Sequence, residues 1–292
     1  MEKPTIKVAI LDLYNREKNE GMRGIRSLLY LERQKTDARV RWDVYDVRDA
    51  AEVPDDSYDV YISSGGPGSP LASGEHWEKN YFRLIDNLWE HNLKNTDQKK
   101  HVFFICHSFQ LICRHWKVGE VTRRRSTSFG VFPMYATNEA VNEPLFEKLP
   151  EPFYAVDSRD YQVIQPNQTL MDREGYQLLA LEKPRPHVDL ERAMMAVRFS
   201  DEFFGTQFHP EADPQGMLRY LARPDKKEHV IKHHGAEKYY QMVDYLDDPN
   251  KIILTQQIIL PSFLTNAFKK VLETADLVPE TRMNHAFEKF SG

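Results

Sequence analysis

Hydrophobic and polar positions along the chain switch between two periods. "TIKVAIL" (residues 5–11) is a short apolar run of strand length, and "GMRGIRSLLYLER" then places Met22, Ile25, Leu28 and Leu29 at helical spacing. "RVRWDVYDV" alternates as a strand does, and "YDVYIS" is a further apolar strand. It ends in "SSGGPGSP", where Gly and Pro forbid regular structure. "GEHWEKNYFRLIDNLWEHN" predicts an amphipathic helix with Trp77, Phe82, Ile85, Leu88 and Trp89 near one face. The strand "HVFFI" follows, then Cys106, then the helical "SFQLICRHW". This β-α-β-β-α-β-α order predicts an α/β fold: a doubly wound, mostly parallel sheet with helices on both faces. Residues 120–208 read as shorter strands: "GVFPMYA", "FYAVDS", "YQLLALE", "AMMAVRF" and "FFGTQF". From about residue 213 the pattern is helical, with "GMLRYLA", "AEKYYQMVDYL" and "LPSFLTNAFKKVLE" as candidate helices. The expectation is an α/β domain over residues 1–215, with a helical extension over 216–292 packed on it.

Composition narrows the function class. The 292 residues are 41% hydrophobic and 28% charged, with a net charge of −5. That balance is globular, and it gives no electrostatic reason to expect nucleic acid or an anionic membrane. No apolar run reaches the length of a membrane span, and the N-terminus enters a strand pattern without a signal-peptide cleavage region. The two cysteines, Cys106 and Cys113, sit seven apart in one stretch. A disulfide scaffold does not fit that spacing, and a reduced, cytoplasmic setting does.

Three pieces carry candidate chemistry. Cys106 stands where a strand gives way to a helix, and ligands of open α/β sheets bind at the carboxyl ends of strands. The helix N-terminus behind it favours a thiolate. A buried structural cysteine is the inert alternative, and Cys113 is assigned that role. In "GTQFHPEAD", His209 and Glu211 lie just past a strand end at spacing i, i+2, so their side chains project to one side. The carboxylate can orient the imidazole, which can take the thiol proton. In "SSGGPGSP", Gly65, Gly66 and Gly68 can turn backbone N–H groups into a cleft to hold an oxyanion. A tight turn is the plain alternative, and no Lys-Ser/Thr follows to make the loop a phosphate cradle.

In that order, "SGGPGS", Cys-x-x-x-Gln and "QFHPE" resemble class I glutamine amidotransferases across residues 5–215. The resemblance implies their flavodoxin-like fold and a Cys-His-Glu triad of Cys106, His209 and Glu211. Gly65, Gly66, Gly68, His107, Gln110, Ser158 and Arg159 would surround the substrate and the oxyanion, with Gln110 touching the glutamine. The implied reaction is hydrolysis of the glutamine side-chain amide, or that of a glutamyl compound, through a Cys thioester, with no cofactor. Ammonia would pass to a synthetase partner subunit, since this chain has no ATP-binding motif; otherwise the enzyme would act alone. Oligomeric state is open, a homo-oligomer included.

The chain departs from that family at three places. Phe104 and Ser108 replace the glycines of Gly-x-Cys-x-Gly-x-Gln, and Arg159 stands where histidine is usual. "FGVFP", Ser158 with Arg159, and "HPEADP" followed by Arg223 resemble homoserine O-succinyltransferases, in which Lys18 would match a first-loop lysine. Acyl transfer through an acyl-cysteine is therefore an alternative, and a non-catalytic binding protein of the same fold is another. Among lesser signals, Arg123–Arg125 read as a solvated loop, or else an anion patch. His229 and His233 have helical metal-ligand spacing but no third ligand, so no metal site is assigned. Tyr239, Tyr240, Phe263 and Phe268 read as packing residues or a partner surface.

Overall fold

The computed structural model describes residues 3–276. Its sheet has nine strands: β1 Thr5–Asp12, β2 Arg39–Asp46, β3 Val60–Ser63, β4 His101–Ile105, β5 Glu120–Ala136, β6 Phe153–Ile164, β7 Gln177–Glu182, β8 Met194–Arg198 and β9 Phe203–Thr206. Their spatial order is β2-β1-β3-β4-β9-β8-β7-β5-β6. The first five in that order are mutually parallel, and the remaining pairings are antiparallel. Helices α1 (Gly21–Glu32) and α2 (His76–Lys94) connect parallel strands, α3 (His107–His115) leads from β4 into the antiparallel part, and α4 (Gln168–Glu174) lies among the antiparallel strands. Four more follow the last strand: α5 Pro214–Leu221, α6 Pro224–His234, α7 Ala236–Asp247 and α8 Leu254–Asp276.

Strand alternation builds a core on each face. Ile6, Val8 and Ile10 of β1 point into one cluster, with Ile25 and Leu29 of α1. Ala9 and Leu11 point into the other, with Tyr81, Ile85 and Leu88 of α2 and Phe109 of α3. Helix α8 completes the first face through Ile259, Leu260, Phe263, Leu264 and Phe268. It runs through Pro261, before which a sequence reading would start the helix. The apolar face on both sides of Pro261 is buried, and that burial outweighs the loss of one N–H donor. Helices α5–α7 form a third, smaller cluster with Val131 of β5 and Val156 of β6.

The arginine-rich stretch is not a loop. Residues 120–136 are one long strand paired with β6, its register broken between Arg123 and Ser128. Alternation sends Arg123 and Arg125 outward and turns Arg124 inward, onto Gln162 (3.0 Å) and Glu182 (3.1 Å). Among the described residues no helix is long and apolar enough to cross a membrane. The side chains of His229 and His233 lie outside the described residues.

Candidate active site

Strands β4 and β9 run side by side and parallel, so their carboxyl ends deliver Cys106 and the segment 207–211 to the same rim of the sheet. The Cys106 N–H donates to Thr206 O (2.7 Å), which ties the two ends together. Cys106 itself has φ +49°, a left-handed conformation rare outside glycine and a mark of a sharp strand-to-helix turn.

The two residues that depart from glycine on either side of the turn are both accommodated. Ser108 is fully buried, and its hydroxyl accepts from Ile105 N–H (2.8 Å) and lies 2.8 Å from Ser63 O, stitching β4 to β3 rather than crowding the turn. Phe104 points to the α2/α3 face, among Phe199 (6.1 Å) and Phe203 (6.2 Å). Its cross-strand partner is Gly205. A Cβ there would lie 2.7 Å from the Phe109 ring and 3.3 Å from Phe199, so the bulk absent at 205 is the room that Phe109 occupies, while Phe104 Cβ, at 3.5 Å, would be in ordinary contact.

His209 Nδ1 lies 2.9 Å from Glu211 Oε1. The Glu211 side chain is 1% exposed. Burial opposes a charge on His209, but the Glu211 carboxylate and the Cys106 sulfur outweigh it and hold the imidazole pKa well above its usual range. Gly65 lies against this ring: a Cβ there would sit 2.9 Å from His209 Cε1. Gly66 and Gly68, in contrast, line the cavity that opens on Cys106. That cavity has a volume of about 600 Å3 and also takes in His107, Gln110, Ser158, His209 and Glu211.

Other expected residues are placed less simply. Ser158 O lies 3.7 Å from the Cys106 sulfur. Arg159 reaches the cavity wall, but its guanidinium binds Asp157 (2.8 Å) and Glu182 (3.1 Å) and its side chain is 1% exposed. Burial works against its charge, and the two carboxylates more than offset that, so its pKa is raised. It is part of a buried ionic network with Arg124 and Arg185, which also bind Glu182. Gln110 donates through Nε2 to Tyr161 O (3.1 Å) and Gln207 Oε1 (2.9 Å), leaving its carbonyl oxygen for a ligand.

Two residues given no role from the sequence join the site, Gln207 at the head of "QFHPE" and Tyr14, which lies in no motif. Gln207 is fully buried and donates to the Cys106 sulfur (3.6 Å). Tyr14, just past β1, lines the same cavity. Burial, then Glu211 and Cys106, push its phenol well above the usual range and keep it a proton donor. Tyr14 follows the carboxyl end of a parallel strand, as Cys106 and His209 do, and that position is the signal that could have found it.

His107 is buried, and burial with nearby Arg48 and Arg114 lowers its pKa to about 3. His101, at the start of β4, is lowered to about 3 by burial and Lys270. Each is neutral in the fold, whereas the unfolded chain takes up a proton on each near pH 6.5. Their contribution is therefore intact above about pH 6.5 and is lost as the pH falls toward 3, at about 1.4 kcal/mol per pH unit for each. His101→Leu is expected to flatten the acid limb by that slope in urea unfolding measured from pH 7 to 4.5; an unchanged slope would contradict this. No cluster of three or more His, Cys, Asp or Glu suited to a metal ion occurs among the described residues.

The glutamine amidotransferase class-I family model matches residues 26–223. No curated protein matches the chain. Among solved structures, a glutamine amidotransferase from Thermotoga maritima is similar at TM-score 0.63 and 13% identity, over 90% of this chain and 97% of that one. A glutamine amidotransferase from Methylobacillus flagellatus is similar at 0.60 and 14%, over 94% and 96%. The glutaminase domain of Trypanosoma brucei CTPS is similar at 0.53 and 12%, over 90% and 94%. At these identities the likeness is one of fold, and it agrees with the mostly parallel sheet and its flanking helices. The family match spans more than half of the sequence and includes both strand ends that carry the site, so this chain belongs to the class I glutamine amidotransferase family.

Proposed function

We propose that the protein hydrolyses the side-chain amide of glutamine, or of a glutamyl compound, through a thioester on Cys106. The observation that carries this reading is the meeting of Cys106, His209 and Glu211 at adjacent strand ends, on the wall of one cavity. His209 takes the thiol proton, and the sulfur attacks the amide carbonyl carbon. The resulting oxyanion is held by backbone N–H groups at Gly66 and His107, beside the helix N-terminus. His209 then protonates the nitrogen, the C–N bond breaks and ammonia leaves. Water, deprotonated by His209, cleaves the thioester and releases glutamate with a free thiol. Glu211 keeps Nδ1 protonated and Nε2 turned to the sulfur throughout.

The size of the cavity favours the glutamyl compound. A volume of about 600 Å3 falls within the roughly 300–1,000 Å3 that holds drug-sized ligands, and free glutamine would leave much of it empty. Its outer wall carries the paired rings of Phe129 and Tyr220 (5.3 Å), with Arg223 and Lys226 over Tyr220. That surface suits a larger amine on the γ-carbonyl. If ammonia is instead passed on, a synthetase partner must receive it. Both cysteines are free and buried, and a nucleophilic thiol fits the reducing cytoplasm.

The test mixes the purified chain with a glutamine-mimicking chloroketone and assays ammonia release from glutamine and from γ-glutamyl amides. Stoichiometric labelling at Cys106 with ammonia or amine release is expected. Homoserine with succinyl-CoA is run in parallel, since Lys18 lines the same cavity. Turnover only there would replace hydrolysis by acyl transfer, and inertness in every arm would leave a binding protein.

A further inference from the structure

Cys106 is buried at 4% exposure, and besides His209 its sulfur has two polar neighbours that favour opposite proton states. Ser158 O, at 3.7 Å, can only accept, so it favours the S–H form. Gln207 Nε2, at 3.6 Å, donates, so it favours the thiolate. Which end of the Gln207 amide faces the sulfur is decided three residues away in a relay. Tyr161 O, a backbone carbonyl, can only accept, and it takes a hydrogen bond from Gln110 Nε2. That fixes the Gln110 amide with its NH2 group toward Tyr161, and the second N–H of that group reaches Gln207 Oε1. With its oxygen so engaged, Gln207 has only its NH2 group left to turn to Cys106. Reversing either amide would set two acceptors against each other inside a dry interior, which is costly.

We infer that Gln207 is a catalytic residue which donates a hydrogen bond to the Cys106 thiolate, and that Gln110 positions it from behind. The inference rests on Cys106 being the nucleophile. In the resting thiol, the sulfur proton is shared with Ser158 O. When the proton lies on His209, the Ser158 contact turns repulsive and the Gln207 contact strengthens, so the thiolate is held by the Gln207 N–H in place of the carbonyl. The sequence distance of 101 residues between Gln207 and Cys106 is bridged by the β4–β9 pairing alone. Gln207 and His209, two apart on one strand end, thus serve the same sulfur: one shifts its proton and the other steadies its charge.

The experiment is alkylation of Cys106 by iodoacetamide as a function of pH, which needs no substrate. Gln207→Met keeps shape and removes the donor. Its alkylation midpoint is expected to rise by about one pH unit; the thiolate fraction at pH 7 then falls roughly tenfold and the observed rate there roughly threefold. The limiting rate at high pH is expected to rise roughly threefold, because a thiolate freed of a donor is the stronger nucleophile. A merely structural role would not move midpoint and limit in opposite senses. Gln207→Asn, one methylene too short to reach the sulfur, is expected to act likewise and serves if the methionine variant does not fold. A cooperatively melting variant of either kind with the wild-type midpoint overturns the inference. Glutamine and γ-glutamyl amide turnover are assayed separately on the wild-type chain. If those fail while the midpoint shifts, the substrate reading falls and the Gln207 role stands; if turnover is found and the midpoint stays, only the Gln207 role falls.

Discussion

Cys106→Ala is expected to lower amide hydrolysis by roughly 10^4- to 10^6-fold, because no other group on the cavity wall can replace the thiolate as nucleophile. The fold should survive, since Cys106 is one of many members of the core cluster on its sheet face and the other cluster does not include it. Cys106→Gly is the more informative companion. At φ +49° any side chain is strained, and glycine is not. The glycine variant is therefore expected to be as inactive as the alanine variant yet more stable than it by about 1 kcal/mol, as long as the added freedom of the unfolded chain does not offset the relief. Turnover with glutamine or a γ-glutamyl amide and urea midpoints measure the two effects. Retained turnover in either variant would end the thioester mechanism. A glycine variant less stable than the alanine one would show that the strain relieved is smaller than the unfolded-chain freedom that glycine adds.

Glu211→Gln is expected to lower kcat by roughly 10^3- to 10^4-fold, less than loss of the nucleophile, with KM little changed. Two effects act together. Without the carboxylate charge, burial is no longer outweighed, and the pKa of His209 falls. The neutral amide also no longer requires Nδ1 to carry the proton; turned the other way, it would donate to Nδ1 and leave the proton on Nε2, where it blocks base catalysis. The pH–rate profile checks the first effect. In the wild type His209 has a raised pKa, so its charged pair with Glu211 stabilises the fold below pH 6.5 and this contribution is lost as the pH rises through the folded pKa. In the variant that dependence should be reduced, and a stability profile identical to wild type would contradict the assignment.

Much of the architecture is legible because its signals are local. The runs at β1, β4 and β9 are short, apolar and bounded by polar or Gly-Pro segments, so period and punctuation identify them without knowledge of their neighbours. The stretch Thr122–Ser128 misleads for the same reason. Its residues are polar at every position, yet pairing with β6 at both of its ends keeps it in one strand, and only the buried acceptors Gln162 and Glu182 explain why Arg124 turns inward. Pro261 misleads in α8 because a proline is a helix boundary locally, whereas the sheet face beneath it rewards continuation. Arg159 could be placed near Cys106 from its motif, but its carboxylate partner at 182 belongs to another strand, so its buried ionic role is invisible in the motif.

The sequence by itself determined the strand-to-helix turn at Cys106, the i, i+2 pairing of His209 with Glu211 and the glycine loop, since each lies within a few residues and obeys backbone geometry. The tertiary structure alone decided that these pieces share one rim, that Gly205 makes room for the Phe109 ring, and that Gln207 faces the sulfur. Those facts depend on which strands lie side by side, a choice made by burial of the whole sheet and not by any residue's immediate neighbours.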